Sequence, residues 1–366
     1  MKKKRRFNAP AVLLSLCVFL QLSCGKDEKK IKIGVSMPTV LQQRWNQDGE
    51  NIKQQLENTG YEVDLRFAEN DASIQQNQIE DLINSGVKIL VITAVDSFSL
   101  TEVLKKAKAA DIPVISYDRL IMNSDAVKYY TSFDNFKVGQ TQGRYIKTKL
   151  NLPAAIDLNN TYNIEFVTGA LEDNNTNFFF GGAMHVLKPY LDSGVLAVPS
   201  GETKIEQAAT KQWLTENAQA RFEKIIESVG YGPGEDDVRL HAVLCSNDTT
   251  ANGVTNALLK AGYTKENFPV ITGQDCDVIS VKNMTAGLQS MSVFKDTRIL
   301  AGQAAELVNA IAKGLQPPVN DSKSYNNGTG AIPSFLCDSI LVEPSDIVST
   351  LINGGYYTST DIGLKD

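Results

Sequence analysis

The stretch "VKILVITAVDSFSLTEVLKKAKAADIPVISYDRL", Val87 to Leu120, decides the fold. Its first nine residues are a nearly continuous apolar run and do not alternate with polar ones. A strand of that kind is covered on both faces, as in a parallel sheet. Leu100, Val103, Leu104 and Ala107 then recur at helical spacing. A second apolar run, "PVISY", follows. Strand, amphipathic helix and strand make a parallel βαβ unit. The second strand runs straight into an ionised pair, Asp118-Arg119. A solvated turn is the simple reading of that pair; a binding group at a strand end is the other.

The same rhythm extends outward in both directions. "IKIGVSM" and "YEVDLRFA" read as earlier strands, and "KYYTSF" as the next one. In the second half "NIEFVTGA", "VLAVPSG", "RLHAVLCS", "PVITGQD" and "LQSMSVF" are strand candidates with helices between them. Seven predicted helices stop at a glycine: Gly60, Gly86, Gly194, Gly230, Gly262, Gly287 and Gly314. Glycine takes the left-handed conformation after a helix at least cost. The fold class is therefore α/β, a parallel sheet with helices on both sides, built twice. A length of 366 residues also suggests two domains. The longest irregular stretch, "QPPVNDSKSYNNGTGAIPS" (316–334), reads as a connection between them.

The N-terminus has another composition. Five of the first six residues are cationic, and "AVLLSLCVFLQL" follows without a charge. That is a secretory signal, residues 1–23, too short to span a bilayer comfortably. It ends at "LSCGK", where Ser23 before Cys24 suggests cleavage and lipidation of Cys24, although Gln21 stands where an aliphatic residue is usual. Plain secretion with cleavage nearby is the alternative. Residues 24–30 form a soluble tether. The expected place is the periplasm or cell envelope, with lipid on Cys24 as the anchor.

Residues 1–23 hold five cations and no acid, which leaves 31 Lys and Arg (36 less five) against 42 Asp and Glu, a net charge of −11. So acidic a body argues against nucleic acid as a partner. Cys245, Cys276 and Cys337 are too few and too widely spaced for a disulfide framework or a zinc site, and read as free, buried thiols. With only His185 and His241, both structural in their patterns, histidine chemistry is poorly supplied. No cofactor and no metal is expected.

In open α/β sheets, ligands bind beyond the carboxyl ends of strands. There the chain offers Arg44 and Trp45, Asp96, Asp118 and Arg119, Asp173 with Asn175, Trp213, Asn247 and Asp248, Asp275 and Asp277, and Lys295. Capping of the next helix explains many Asp and Asn at such places, and Asp96 and Asp248 are assigned mainly to it. Arg, Lys and Trp are not capping residues. Planar groups that grip two neighbouring hydroxyls, beside flat aromatic faces, are what a small, neutral, hydroxyl-rich ligand requires. Arg44, Arg119 and Lys295 would hold Asp118 and Asp275 ionised, as acceptors and not as proton donors. There is no Walker loop, no GxGxxG at the first turn and no GxSxG. An enzyme is not expected.

Ten stretches in order, "RWNQDG", "SYDRL", "FDNFKVG", "EDNNTNFFF", "VLKPYLDSG", "WLTENA", "SNDTTANG", "GQDCD", "FKDTR" and "NNGTGAIPS", carry a resemblance. The chain resembles type I periplasmic sugar-binding proteins of ABC importers, above all the D-xylose-binding and multiple-sugar-binding members, from about residue 31 to 360. The resemblance implies two Rossmann-like lobes joined by three crossings, near Phe133–Phe136, Ser290–Phe294 and Gly330–Pro333. The N-terminal lobe would be 31–134 plus 295–330 and the C-terminal lobe 137–291 plus 334–366. A monosaccharide such as xylose or glucose would lie between them. Arg44, Asp118, Arg119, Asp173, Asn175, Asn247, Asp275 and Lys295 would then be polar contacts, and Trp45 and Trp213 the aromatic ones. Cys276 and Asp277 stand where a small residue and an acid are usual, and a thiol there would alter the pocket's fit. The implied partner is an ABC permease, with a chemoreceptor or histidine kinase as the alternative, and a monomer is expected. A sugar-responsive repressor of the same fold would need a helix-turn-helix before the first strand, where this chain has a signal peptide.

Overall fold

The computed structural model describes Met1, residues 30–158 and residues 160–364. The signal peptide, Cys24 and the tether before Lys30 lie outside the described residues. From Ile31 onward the chain forms one compact unit.

Five strands come first: β1 (Lys32–Met37), β2 (Glu62–Phe67), β3 (Ile89–Ile92), β4 (Val114–Tyr117) and β5 (Val127–Phe133). They pair in parallel in the order β2-β1-β3-β4-β5. Five more follow: β6 (Tyr162–Val167), β7 (Leu196–Ala197), β8 (Ala242–Cys245), β9 (Val270–Ile271) and β10 (Ser292–Phe294). Their order is β7-β6-β8-β9, and a parallel bridge between Gln274 and Val293 sets β10 next to it. The chain thus builds one topology twice. Each sheet reverses its order beside its first strand, between β1 and β3 and between β6 and β8. Such a switch point opens a crevice at the carboxyl ends of the two strands.

The continuous apolar runs are buried as their pattern predicts. Ile89, Leu90, Val91 and Ile92 alternate between two cores, one on each face of the first sheet. β6 and β8 do the same in the second. The helix Thr297–Ala312 returns to cover the first sheet. The helices Asn135–Lys149 and Asn175–Asp192 pack together on the second. They touch backbone to backbone: a Cβ on Gly139 would lie 2.0 Å from the Phe179 carbonyl oxygen, and one on Gly182 2.1 Å from that of Phe136. All seven helix-stopping glycines have positive φ, from 63° to 96°.

Four expectations are corrected. The strands expected at "VLAVPSG" and "PVITGQD" shrink to two residues each, Leu196–Ala197 and Val270–Ile271. The stretch 316–334 is not a free connection. Tyr325 and Ile332 are buried in the first core, Tyr325 packs on Tyr130 with ring centroids 5.1 Å apart, and Asn327 donates to the carbonyls of Ile121 and Ser124. The strand after it, β11 (Ser334–Cys337), pairs in parallel with β5 on the first sheet. Only β12 (Ile340–Val342), antiparallel to β10, joins the second half. The last crossing therefore lies at 338–339 and not at Gly330–Pro333, and residues 334–337 belong to the N-terminal lobe. A Pro- and Gly-rich sequence permits a linker but does not require one; the aromatic and apolar residues inside this one pack it down. The second crossing likewise falls at 295–296, because β10 stays with β12.

Candidate functional site

Arg44 enters the cleft from the first turn of the helix Gln43–Asn58, immediately after β1. Its three guanidinium nitrogens each find a carboxylate. Nη2 donates to Asp118 at 2.5 Å, Nη1 to Asp275 at 2.6 Å and Nε to Asp48 at 3.1 Å. Asp118 stands at the end of β4 in the first lobe and Asp275 between β9 and β10 in the second. One side chain thus spans the two lobes. Lys295, at the second crossing, lies 3.1 Å from Asp275 and 3.9 Å from Asp118. It is 2% exposed, near the rings of Phe133 and Phe179.

The second cross-lobe pair is Arg119 with Asp173, 2.9 Å apart. Arg119 also donates to the carbonyl of Ala94 just beyond β3. Both guanidinium groups lie over the ring of Trp45, at 5.1 Å for Arg44 and 4.9 Å for Arg119. Trp213 rests its ring on Gly169, where a Cβ would sit 2.0 Å from it, and meets Phe179 edge to face. No residue but glycine leaves room for that ring.

All ten residues predicted for the site (Arg44, Trp45, Asp118, Arg119, Asp173, Asn175, Trp213, Asn247, Asp275 and Lys295) line one cleft with about 400 Å³ of empty space, part of it open to solvent. The two asparagines among the ten also have their side chains committed to protein. Asn175 donates to the Asp118 carbonyl at 2.9 Å across the lobes. Asn247 is the N-cap of the helix Asp248–Lys260, accepting from the Thr250 amide and donating to Thr249. Asp248, expected to cap, instead accepts from Gln289, Ser292 and the Asp277 amide, and pins the loops beside the cleft. Asp96 accepts from the Phe98 amide and shapes a turn, while Leu100 precedes the helix.

Gln42, Phe179, Thr249, Gln274 and Asp277 also line the cleft. The first four were not singled out in the sequence, since neither charge nor position at a strand end marks them. Phe179 is marked only by standing in "EDNNTNFFF". The thiol of Cys276 does not line the cleft. It is buried in an apolar cluster with Val281 and Met284, so it leaves the pocket's fit to its neighbours. Cys245, Cys276 and Cys337 are free and buried.

The backbone is strained where the site is made. Asp118, Asp275, Cys276, Gln212 and Trp213 all have positive φ. Such conformations cost of order 1–3 kcal/mol each and persist where the surroundings over-determine them. The Asp118 carbonyl accepts from Tyr130, Ser132 and Asn175, which is over-determination of that kind. The carboxyls titrate by neighbourhood. Burial raises Asp275, but Lys295 and Arg44 outweigh it and leave this carboxyl below its ordinary value. Asp277 is pushed up to about 7 by burial and by the charge of Asp275. Burial raises Asp173 as well, against the pull of Arg119. A carboxylate held ionised by two cations accepts hydrogen bonds and gives no proton.

The model of the periplasmic binding protein domain family matches residues 33–316. The chain is 39% identical over 354 residues to the multiple sugar-binding periplasmic receptor ChvE of Rhizobium radiobacter, covering 96% of this chain and 97% of that one. It is 33% identical over 352 residues to the D-xylose-binding periplasmic protein of Escherichia coli, covering 96% and 98%. A solute-binding protein of an ABC transporter from Clostridium phytofermentans, solved with bound β-D-glucose, superposes with a TM-score of 0.87 at 52% identity, over 90% of this chain and 99% of that one.

Proposed function

The chain belongs to the periplasmic binding protein family, and we propose that its cleft grips a single aldose, of the glucose or xylose kind, from both lobes at once. It is the sugar-binding component of an ABC importer, working in the periplasm, and not an enzyme. The observation that carries the reading of the cleft is the meeting of Arg44 with Asp118 from one lobe and Asp275 from the other. Each carboxylate keeps lone pairs beyond those the cations take, and Lys295 and the guanidinium groups are donors for sugar oxygens. Trp213, flat against Gly169, offers its face to the C–H side of a pyranose.

Closure follows from the same geometry. Rim contacts join the lobes directly: Gln43 donates to the Tyr357 hydroxyl at 2.7 Å, and the Ser97 amide to the Glu172 carbonyl at 2.9 Å. A ligand shifts an equilibrium only by its differential affinity for the two states, and a sugar touching both lobes has that difference. The crossings absorb the backbone change, and the permease recognises the closed form. Lipid on Cys24 tethers this monomer to the membrane, and Cys24→Ser releases it to the soluble fraction with sugar affinity unchanged.

The test is a calorimetric screen of a dozen aldoses, followed by scattering and tryptophan fluorescence with the best binder. Binding is expected with a smaller radius of gyration and a changed spectrum, since Trp45 and Trp213 both line the cleft. No heat with any aldose would overturn the sugar site. Binding with unchanged scattering and spectrum would overturn closure.

A further inference from the structure

Asp48 follows Arg44 by one helical turn on Gln43–Asn58 and is fully buried, yet it does not line the cleft. The other buried residues on the later turns of this helix, Ile52 and Leu56, are apolar core. A carboxylate among them costs free energy unless it is paired and hydrogen-bonded. Both of its oxygens are used. Oδ2 accepts from Arg44 Nε at 3.1 Å, and Oδ1 accepts from the hydroxyl of Tyr117, itself fully buried at the end of β4. A guanidinium is planar, with its donors in a fixed fork. Once Nε is held, the directions of Nη1 and Nη2 are set, and these are the nitrogens that reach Asp275 and Asp118.

We infer that Asp48, held by Tyr117, is the positioning residue that fixes the plane of the Arg44 guanidinium and so its reach across the cleft. This rests on the reading of the cleft as a sugar site. Charged and titratable groups face Asp48 from three sides: Arg44 on its own helix, Tyr117 and Asp118 at the end of β4, and Tyr356 from the C-terminal segment. Burial pushes the Asp48 carboxyl up to about 6, while Arg44 and Tyr117 pull it down and Asp118 pushes it up. The ionised form holds Nε. As the pH falls through about 6 the anchor takes a proton and slackens.

The experiment is calorimetric titration of the full-length protein with the best-binding aldose of the screen at pH 8, 7, 6 and 5.5, for wild type, Asp48→Asn and Tyr117→Phe. At pH 8, Asp48→Asn should bind about tenfold more weakly, about 1.4 kcal/mol. That ratio should narrow as the pH falls through about 6, because wild-type Asp48 is then itself protonated. A residue that merely supports the fold would give a constant ratio. Asp277, which also titrates near the cleft, is present in all three proteins and cancels to first order in the comparison. Tyr117→Phe removes the donor that stabilises the carboxylate, so its affinity should begin to fall at a higher pH than wild type. If Asp48→Asn does not fold, Tyr117→Phe decides alone. Wild-type affinity in Asp48→Asn at pH 8, a ratio that stays constant with pH, or an unshifted profile in Tyr117→Phe overturns the inference. If wild type binds no aldose, the sugar site fails and this inference falls with it.

Discussion

At the mouth of the first lobe stand two arginines, Arg44 and Arg119; facing them on the second stand two aspartates, Asp275 and Asp173. Yet the sheets behind them share one strand order. The repeated topology places side chains at equivalent strand ends, and the sequence then gives the two ends opposite charge. Apart, Arg119 and Asp173 have only water to compensate them, whereas Arg44 keeps Asp48 and Asp118 of its own lobe. Together, each arginine also meets a carboxylate of the facing lobe. Such pairs contribute little net stability once their dehydration is counted. Their consequence is register: the lobes meet in the arrangement that pairs both arginines.

The largest expected effect comes from breaking the pair at the proposed sugar site. Asp275→Ala leaves Lys295 with Asp118 and Arg44 with Asp118 and Asp48, and takes two charged acceptor positions from the ligand. Hydrogen bonds to charged groups contribute about 1.5–3 kcal/mol each, so losing two should weaken binding roughly a hundredfold or more. Unfolding should change far less, because open lobes hydrate the two cations. Calorimetry and urea melts of the same variant separate the two effects. Near wild-type affinity would reduce Asp275 to a support of its loop.

How much of this was readable beforehand differs between backbone and side chains. Unbroken Val and Ile runs and glycines after helices gave both sheets, because burial and positive φ leave local marks. Strand ends gave the ten cleft residues, because Arg, Lys and Trp there have no role in capping. The third crossing was misplaced because Tyr325 and Ile332, which dock 316–334 on the first core, are long-range contacts without a local pattern. The φ of 96° at Asp275 is likewise invisible in a non-glycine residue. Asp48 was readable in principle. It is four residues after Arg44, the spacing that sets two side chains on one helix face.

A smaller effect is expected at the second pair. Arg119→Ala and Asp173→Ala should each weaken sugar binding about tenfold, as each strands a buried partner. The double variant should lose less than the sum. Residues in direct contact couple by about 0.5–3 kcal/mol, and a double-mutant cycle read by calorimetry measures it. A coupling near zero would mean that Arg119 is held by the Ala94 carbonyl and not by the facing lobe, which would remove half of the charge contrast described above.

The smallest effect should come from within the second lobe, where two carboxyls of one loop are unlike. Asp275 faces cations and sits below its ordinary value, whereas Asp277 is pushed up to about 7 by burial and by Asp275 itself. An unfolded aspartate titrates near 3.9. The native state therefore binds the Asp277 proton more tightly than the unfolded chain does. The stability that this proton contributes is fully present below about pH 3.9 and is lost as the pH rises through about 7. Asp275 acts in the opposite sense: its contribution is present above about pH 3.9 and is lost only as the pH falls below that. Between pH 5 and 8 Asp277 contributes to the slope and Asp275 does not, beside other raised carboxyls such as Asp48. Asp277→Asn removes the Asp277 share of that slope while Asp275 stays paired with Lys295 and Arg44. At pH 8 the variant should be more stable than wild type by about 1 kcal/mol, a modest figure because the side chain is only half-buried. The two should converge near pH 4. Thermal melts of sugar-free protein at pH 4, 5, 6.5 and 8 measure the difference. Parallel curves would show that Asp277 is hydrated and ionised throughout, and that Asp275 carries no repelling neighbour in the second lobe.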